Sequence, residues 1–168
     1  MEILFENSYV RNKKLAKELY WYIYYQRPVH IVINIIMILC FFAQILLLIW
    51  KPYLSNIGYL MFIMLYFLLC FLRYIANVKA MIKRDKEIHG SEISVTAIVT
   101  DEYIQWTASN GSVNKLEYPN IKYAKKTKKL ILLRSKAGLI YIFSRDSFSI
   151  GTEDAFLLFL KDKGIKIQ

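Results

Sequence analysis

The sequence predicts an α+β membrane protein: a two-helix transmembrane hairpin followed by a small antiparallel β-domain capped by a C-terminal α-helix. Three observations predict it. Two apolar runs, Val29 to Trp50 and Ile57 to Leu72, are separated by only six residues. Basic residues crowd the outer flanks of both runs and nearly avoid the gap. Beyond Glu92 the pattern changes to short alternating segments punctuated by turn residues, as strands require.

Residues 1–28 form an N-terminal strand and juxtamembrane helix. Glu2-Ile3-Leu4-Phe5-Glu6 reads as a short strand. A helical pattern then covers about Asn12 to Tyr25, with Leu15, Leu19, Tyr22 and Ile23 on one side and Lys13, Lys14 and Lys17 elsewhere. It either lies in the membrane interface and turns down at Arg27-Pro28, or extends the first transmembrane helix inward.

The hairpin occupies residues 29–76. A bilayer core of ~30 Å takes ~20 apolar residues at ~1.5 Å each. The first run supplies 22, and the second supplies 16 before Arg73. The second helix reaches Ala76 if Arg73 snorkels to the headgroups. A soluble chain of 168 residues could not cover both runs. The first run is too long for a signal core and no small-x-small cleavage pattern follows it, so it is expected to be retained. Arg11, Lys13, Lys14, Lys17 and Arg27 precede it, whereas Arg73, Lys79, Lys83, Arg84 and Lys86 follow the second run. The loop has Lys51 alone. The positive-inside rule then places both termini in the cytoplasm of a multi-pass plasma-membrane protein. Tyr20, Trp21, Tyr22, Tyr24, Tyr25 and Tyr74 mark one headgroup border, and Trp50, Tyr53 and Tyr59 mark the other.

Polar residues in the first run share one stripe. At 100° per residue, Asn34 and Gln44 lie about 40° to either side of His30, and Met37, Phe41 and Leu48 fall between them. Polar groups in hydrocarbon face protein, so the stripe is expected to pack on the second helix or on a second copy of the chain. Gln44 is expected near Tyr66, whose hydroxyl could pair with it, and Asn34 near Arg73. Cys40 and Cys70 sit at different depths, which speaks against a disulfide.

A basic linker, residues 77–91, leads to the domain at 92–168. Ile93 to Val99, Tyr103 to Thr107, Val113 to Tyr118, Ile121 to Lys125, Lys129 to Ser135 and Leu139 to Ser144 read as strands of an antiparallel meander. Asn110-Gly111 and Lys136-Ala137-Gly138 mark tight turns. Thr152 fits a helix N-cap, Glu153 and Asp154 the positive end of the dipole, Lys161 and Lys163 the negative end, and Gly164 the stop. A bent antiparallel sheet closed by one such helix is a pleckstrin-homology-like (PH-like) layout.

The order of these parts resembles a family of small bacterial membrane proteins with a YcxB-like C-terminal domain. The resemblance rests on Thr100-Asp101-Glu102, on Tyr118-Pro119-Asn120-Ile121-Lys122, and on Tyr141-Ile142-Phe143-Ser144-Arg145-Asp146-Ser147-Phe148. The last is similar to the family's Tyr-Ile-Ile-Pro-Lys-x-x-Phe, with the proline absent and the basic residue and final Phe kept. The resemblance implies a PH-like fold at the cytoplasmic face, and it implies no reaction.

No catalytic, metal or cofactor constellation is present. His30 and His89 lack an acid or nucleophile nearby, Asp85, Glu87 and Glu92 read as a solvated helix end, and the six glycines form no phosphate loop. The net charge of +10 spreads as +2 on residues 1–28, +1 on the hairpin, +3 on 73–90 and +4 on 91–168. That evenness suits an anionic leaflet, and no nucleic-acid motif accompanies it. The strongest binding candidate is Lys122, Lys125, Lys126, Lys128, Lys129, Arg134 and Lys136, since no acidic residue lies between Tyr118 and Arg145. This cationic hairpin would contact anionic lipid or an acidic protein partner, or it merely blocks edge-to-edge strand pairing. The expected function is a membrane-anchored interaction module. The alternatives are a regulatory or stress-related partner acting through the hairpin, and a small transporter or channel subunit.

Overall fold

The computed structural model describes residues 2–90 and 92–168, without the side chains of Ile88 and His89. The expectation attached to His89 therefore lies outside the described residues. The chain divides into two units, residues 1–15 with 82–168, and residues 16–81.

In the second unit the helices follow the apolar runs. Helix α1, Lys13–Trp21, passes through a π-helical turn at Tyr22–Gln26 and stops at Arg27, whose ψ of 138° is extended. Pro28 forces this, because its ring disfavours helical backbone in the preceding residue. Helix α2 is Pro28–Trp50 and helix α3 is Leu54–His89. The break at Arg27 settles one alternative: α1 is a separate helix and not an inward extension of α2. The linker expected at 77–91 is helical as far as His89.

On α2, His30, Asn34, Met37, Phe41, Gln44 and Leu48 are half-buried, while all its other residues except Ile45 are exposed. Their 4-3-4-3 spacing is that of a left-handed two-helix packing, and α3 repeats it at Leu60, Ile63, Phe67, Cys70, Tyr74 and Asn77. The stripe therefore faces α3. Both cysteines are free.

Among its described residues the first unit holds eight strands, the end of α3 and one further α-helix. Strands β1 (Phe5–Val10), β2 (Ser94–Val99), β3 (Tyr103–Ala108), β4 (Val113–Glu117) and β8 (Phe148–Ile150) form one antiparallel sheet in the order β4-β3-β2-β1-β8. Strands β5 (Ile121–Lys126), β6 (Leu130–Ser135) and β7 (Ile140–Ser144) form a second. Helix α4, Glu153–Asp162, follows. The expected single meander is thus two sheets that do not close into one barrel.

The main correction concerns the N-terminal strand. It lies at Phe5–Val10, not at 2–6, and it sits inside the first sheet between β2 and β8. Its inward positions are Phe5, Asn7 and Tyr9, so the alternation is present with a polar residue in one core place. The two apolar helices are consequently an insertion between neighbouring strands. Val10 pairs with Ser94, and the Arg11 amide donates to the Ile93 carbonyl at 2.8 Å.

Burial is densest along β6. Leu130 to Leu133 are all fully buried, so both faces of β6 are covered and it reads as a continuous apolar run. Each such side chain contributes about 1.5–3 kcal/mol. The Phe143 ring lies tilted against Phe156 of α4 at 4.6 Å, and Trp106 stacks on Tyr141 at 4.5 Å while its indole N–H donates to the Ile142 carbonyl. Helix α4 ends as expected. Thr152 Oγ1 accepts from the Ala155 amide, and Gly164 (φ +77°) closes a Schellman motif in which Ile165 N–H reaches Leu160 and Gly164 N–H reaches Lys161. The Asn110-Gly111 turn differs from a two-residue hairpin. Only Gly111 has positive φ, and Ala108 pairs across to Ser112, giving a type I turn followed by a left-handed glycine.

Candidate functional site

The seven basic candidates do not form one continuous edge. Lys126, Lys128 and Lys129 stand at the β5–β6 turn, Lys122, Arg134 and Lys136 at the opposite end of the hairpin, and Lys125 between them. Lys126 is engaged, its Nζ lying 2.7 Å from Glu153 Oε1. Arg145, the basic residue of the Tyr141–Phe148 segment, donates to the same carboxylate at 2.9 Å. Burial pushes the Glu153 carboxyl up, but the hydrogen bonds from Arg145 and Lys126 outweigh it and hold the group below its usual range. Arg145 Nη1 also donates to the carbonyls of Thr127 and Lys128, and its backbone amide to that of Lys129. Arg145 therefore fixes the turn that carries Lys129.

Lys129 meets residues from three other parts of the chain. It lines a groove of about 360 Å³ together with Lys14 and the hydroxyls of Ser8, Thr96, Ser144 and Ser147. Ser8 Oγ and Thr96 Oγ1 are 3.0 Å apart across the β1–β2 pair, and Ser147 Oγ donates to Ser144 Oγ at 2.9 Å. The Ser8 amide donates to the Ser147 carbonyl at 3.0 Å, which joins the two hydroxyl pairs. Beneath them, buried Asn7 binds the Ser144 backbone twice: Nδ2 donates to its carbonyl at 2.7 Å and Oδ1 accepts from its amide at 3.1 Å. Asn7 thereby ties β1 to β7. Among the described residues, no Asp or Glu lines the groove.

Residues 99–160 match the family model described as YcxB-like protein. No curated protein and no solved structure matches the chain. The YcxB-like segment carries all three stretches on which the resemblance rests. It begins at the last residue of β2 and so omits β1, the strand that the structure adds from before the two apolar helices. In it, Tyr118 of the Tyr-Pro-Asn-Ile-Lys stretch donates its hydroxyl to the Thr100 carbonyl of the Thr-Asp-Glu turn. Burial, then the nearby Asp101 charge, pushes that phenol up. These two stretches hold each other, and the third supplies the Arg145 clamp.

The polar set in the second unit is arranged differently from expectation. Tyr66 donates to Asn34 Oδ1 at 3.2 Å and not to Gln44, whose Oε1 is buried without a hydrogen-bond partner among the described residues. The connection between α2 and α3 is only Lys51 to Tyr53, three residues shorter than the six-residue gap, and this shifts the facing positions along the hairpin. His30, Tyr66 and Arg73 line a cavity of about 300 Å³. Sequence reasoning missed Asn7, Ser8, Lys14, Thr96, Ser144 and Ser147 as a group. Isolated serines and lysines in four places carry no local signal, and the acid-free stretch around Lys129 was the one available pointer.

Proposed function

We propose that the chain is an integral membrane protein whose two apolar helices cross the bilayer as a hairpin, and whose YcxB-like unit is a PH-like binding module on the cytoplasmic face. The observation that carries this reading is the insertion of α2 and α3 between two paired strands. Because Val10 pairs with Ser94, the chain leaves and re-enters the same sheet. The ends flanking the helices then share one side of any membrane, which takes an even number of crossings.

Three further features support it. Helix α2, at 23 residues, is about 34 Å long by its rise and has no buried residue. Leu39, Leu46, Ile49, Leu54, Phe62 and Met61 are among the many large side chains left exposed, a surface that water does not tolerate and lipid does. The excess of Lys and Arg outside the loop favours the cytoplasm for both ends. The PH-like reading is supported by two antiparallel sheets followed by one amphipathic helix.

Accessibility of single cysteines tests the topology. With Cys40 and Cys70 replaced by serine, Asn56→Cys is expected to react with a membrane-impermeant maleimide in intact spheroplasts, and Lys136→Cys only after permeabilisation. Labelling of Lys136→Cys in intact spheroplasts, or release of the chain by alkaline carbonate, refutes the reading.

A further inference from the structure

We propose that the free edge of β4, Val113–Glu117, pairs antiparallel with the same edge of a second copy of this chain, joining two five-stranded sheets into one. This names a partner for the YcxB-like unit, and it rests on the membrane reading above only for its strength.

The two sheets have four edges between them, and an open edge is a row of unpaired amides and carbonyls that a fold covers or blunts. The β5 edge is covered by the end of the chain: the Ala124 amide donates to the Lys166 carbonyl and the Gln168 amide to the Ala124 carbonyl, both at 2.9 Å. The β7 edge is capped by side chains, with Trp106 on the Ile142 carbonyl and Asn7 on the amide and carbonyl of Ser144. The β8 edge is three residues long. The β4 edge is five residues long and has no such cover among the described residues.

The ladder decides which of its groups point outward. The Ala108 amide donates to the Ser112 carbonyl at 2.9 Å, and directly opposed residues alternate between bonded and non-bonded pairs. Trp106–Asn114 and Ile104–Leu116 are then the bonded pairs, and the amides of Val113, Lys115 and Glu117 face away from the sheet. A lysine commonly guards such an edge, but the Lys115 ammonium is laid back over the Tyr103 ring of β3, 3.5 Å from its centroid.

Charge selects the partner and the register. Lys115 and Glu117 are exposed, two residues apart on one face of the strand, and neither forms an ion pair among the described residues. A strand edge with a cation and an anion at that spacing is its own antiparallel complement. With Leu116 opposite the second copy's Leu116, each Lys115 faces a Glu117 on both sides of the two-fold axis, at positions whose amides point outward. The register that sets Lys115 opposite Lys115 brings like charges together and is disfavoured. One short edge pairs weakly in free solution, and holding both chains in one bilayer raises their effective concentration.

Energy transfer between full-length chains tests the pairing. Chains with Cys40 and Cys70 replaced by serine carry donor or acceptor dyes at Lys136→Cys, are mixed in phosphatidylcholine vesicles, and are diluted with lipid. Lys115→Glu turns both attractive pairs repulsive and is expected to weaken association about tenfold or more. Lys115→Glu with Glu117→Lys restores the pairs in reverse and should return association to within about threefold of the parent. Undiminished transfer in Lys115→Glu, failure of the double variant to regain it, or absence of transfer in the parent overturns the pairing. Flotation of the same vesicles reports separately on the membrane reading. If the chain stays in the soluble fraction, that reading falls, and sedimentation of the same variants in solution decides the pairing by the same criteria.

Discussion

The two units of this protein treat polar groups in opposite ways. In the β unit, Asn7, Asp85, Thr100 and Ser135 are buried and every one has a hydrogen-bonded partner in the fold. In the two-helix unit, Ile63 is the one buried residue between Pro28 and Ala76, and the buried acceptor of Gln44 goes without a partner among the described residues. The first unit supplies its own interior. The second presents its apolar surface outward and relies on its surroundings, so its few polar contacts matter far less to its stability.

The sharpest way to break this comparison is at Asp85, which is 2 % exposed and held by Arg11 through two hydrogen bonds of 2.7 and 2.5 Å. Arg11→Met leaves a buried charge alone and is expected to destabilise the β unit by about 3–5 kcal/mol. Adding Asp85→Leu should recover most of that loss. Chemical denaturation followed by the fluorescence of Trp106, with the other two tryptophans replaced by phenylalanine, measures both variants. Next in size is Asn7→Ala, which takes the Asn7 acceptor from the buried Ser144 amide and one of two donors from its carbonyl, and should cost about 2–3 kcal/mol in the same assay.

Glu153→Gln is expected to cost about 1–2 kcal/mol at pH 7, because it weakens the contacts to Arg145 and Lys126. The sign of its pH dependence follows from the lowered carboxyl. The unfolded chain takes up the proton first, near the ordinary value of about 4.5, so stability owed to ionised Glu153 is complete above that pH. It fades as the pH falls through the lower value of the folded state, and the variant and the parent should converge there. The smallest effect belongs to the hairpin. Tyr66→Phe removes the hydrogen bond to Asn34 and should change the stability of the two-helix unit in bilayers by only ~0.6 kcal/mol, read by steric trapping. A loss of several kcal/mol would erase the contrast between the units.

Much of the fold is legible in the sequence because its signals are local. The apolar runs became α2 and α3, the polar stripe became the inner face, and Thr152 and Gly164 bound α4. Strand β1 is not legible in the same way. Polar Asn7 takes one of its core places, and its β2 partners lie some ninety residues away, so the nearby apolar triplet Ile3-Leu4-Phe5 draws the strand too early. Strand β8 is three residues long and leaves no pattern. The groove is illegible for the same reason as β1. Its residues meet only once β1 lies beside β2 and the β7–β8 turn folds against both.

The pairing of Phe5 with Val99 also sets an order of events during synthesis. The first strand leaves the ribosome long before its neighbour exists, and it must wait through the production of both greasy helices. Completion of the sheet then reports that the intervening segment has been made, so a chain released early would display an unfinished domain to the quality-control machinery of the cell.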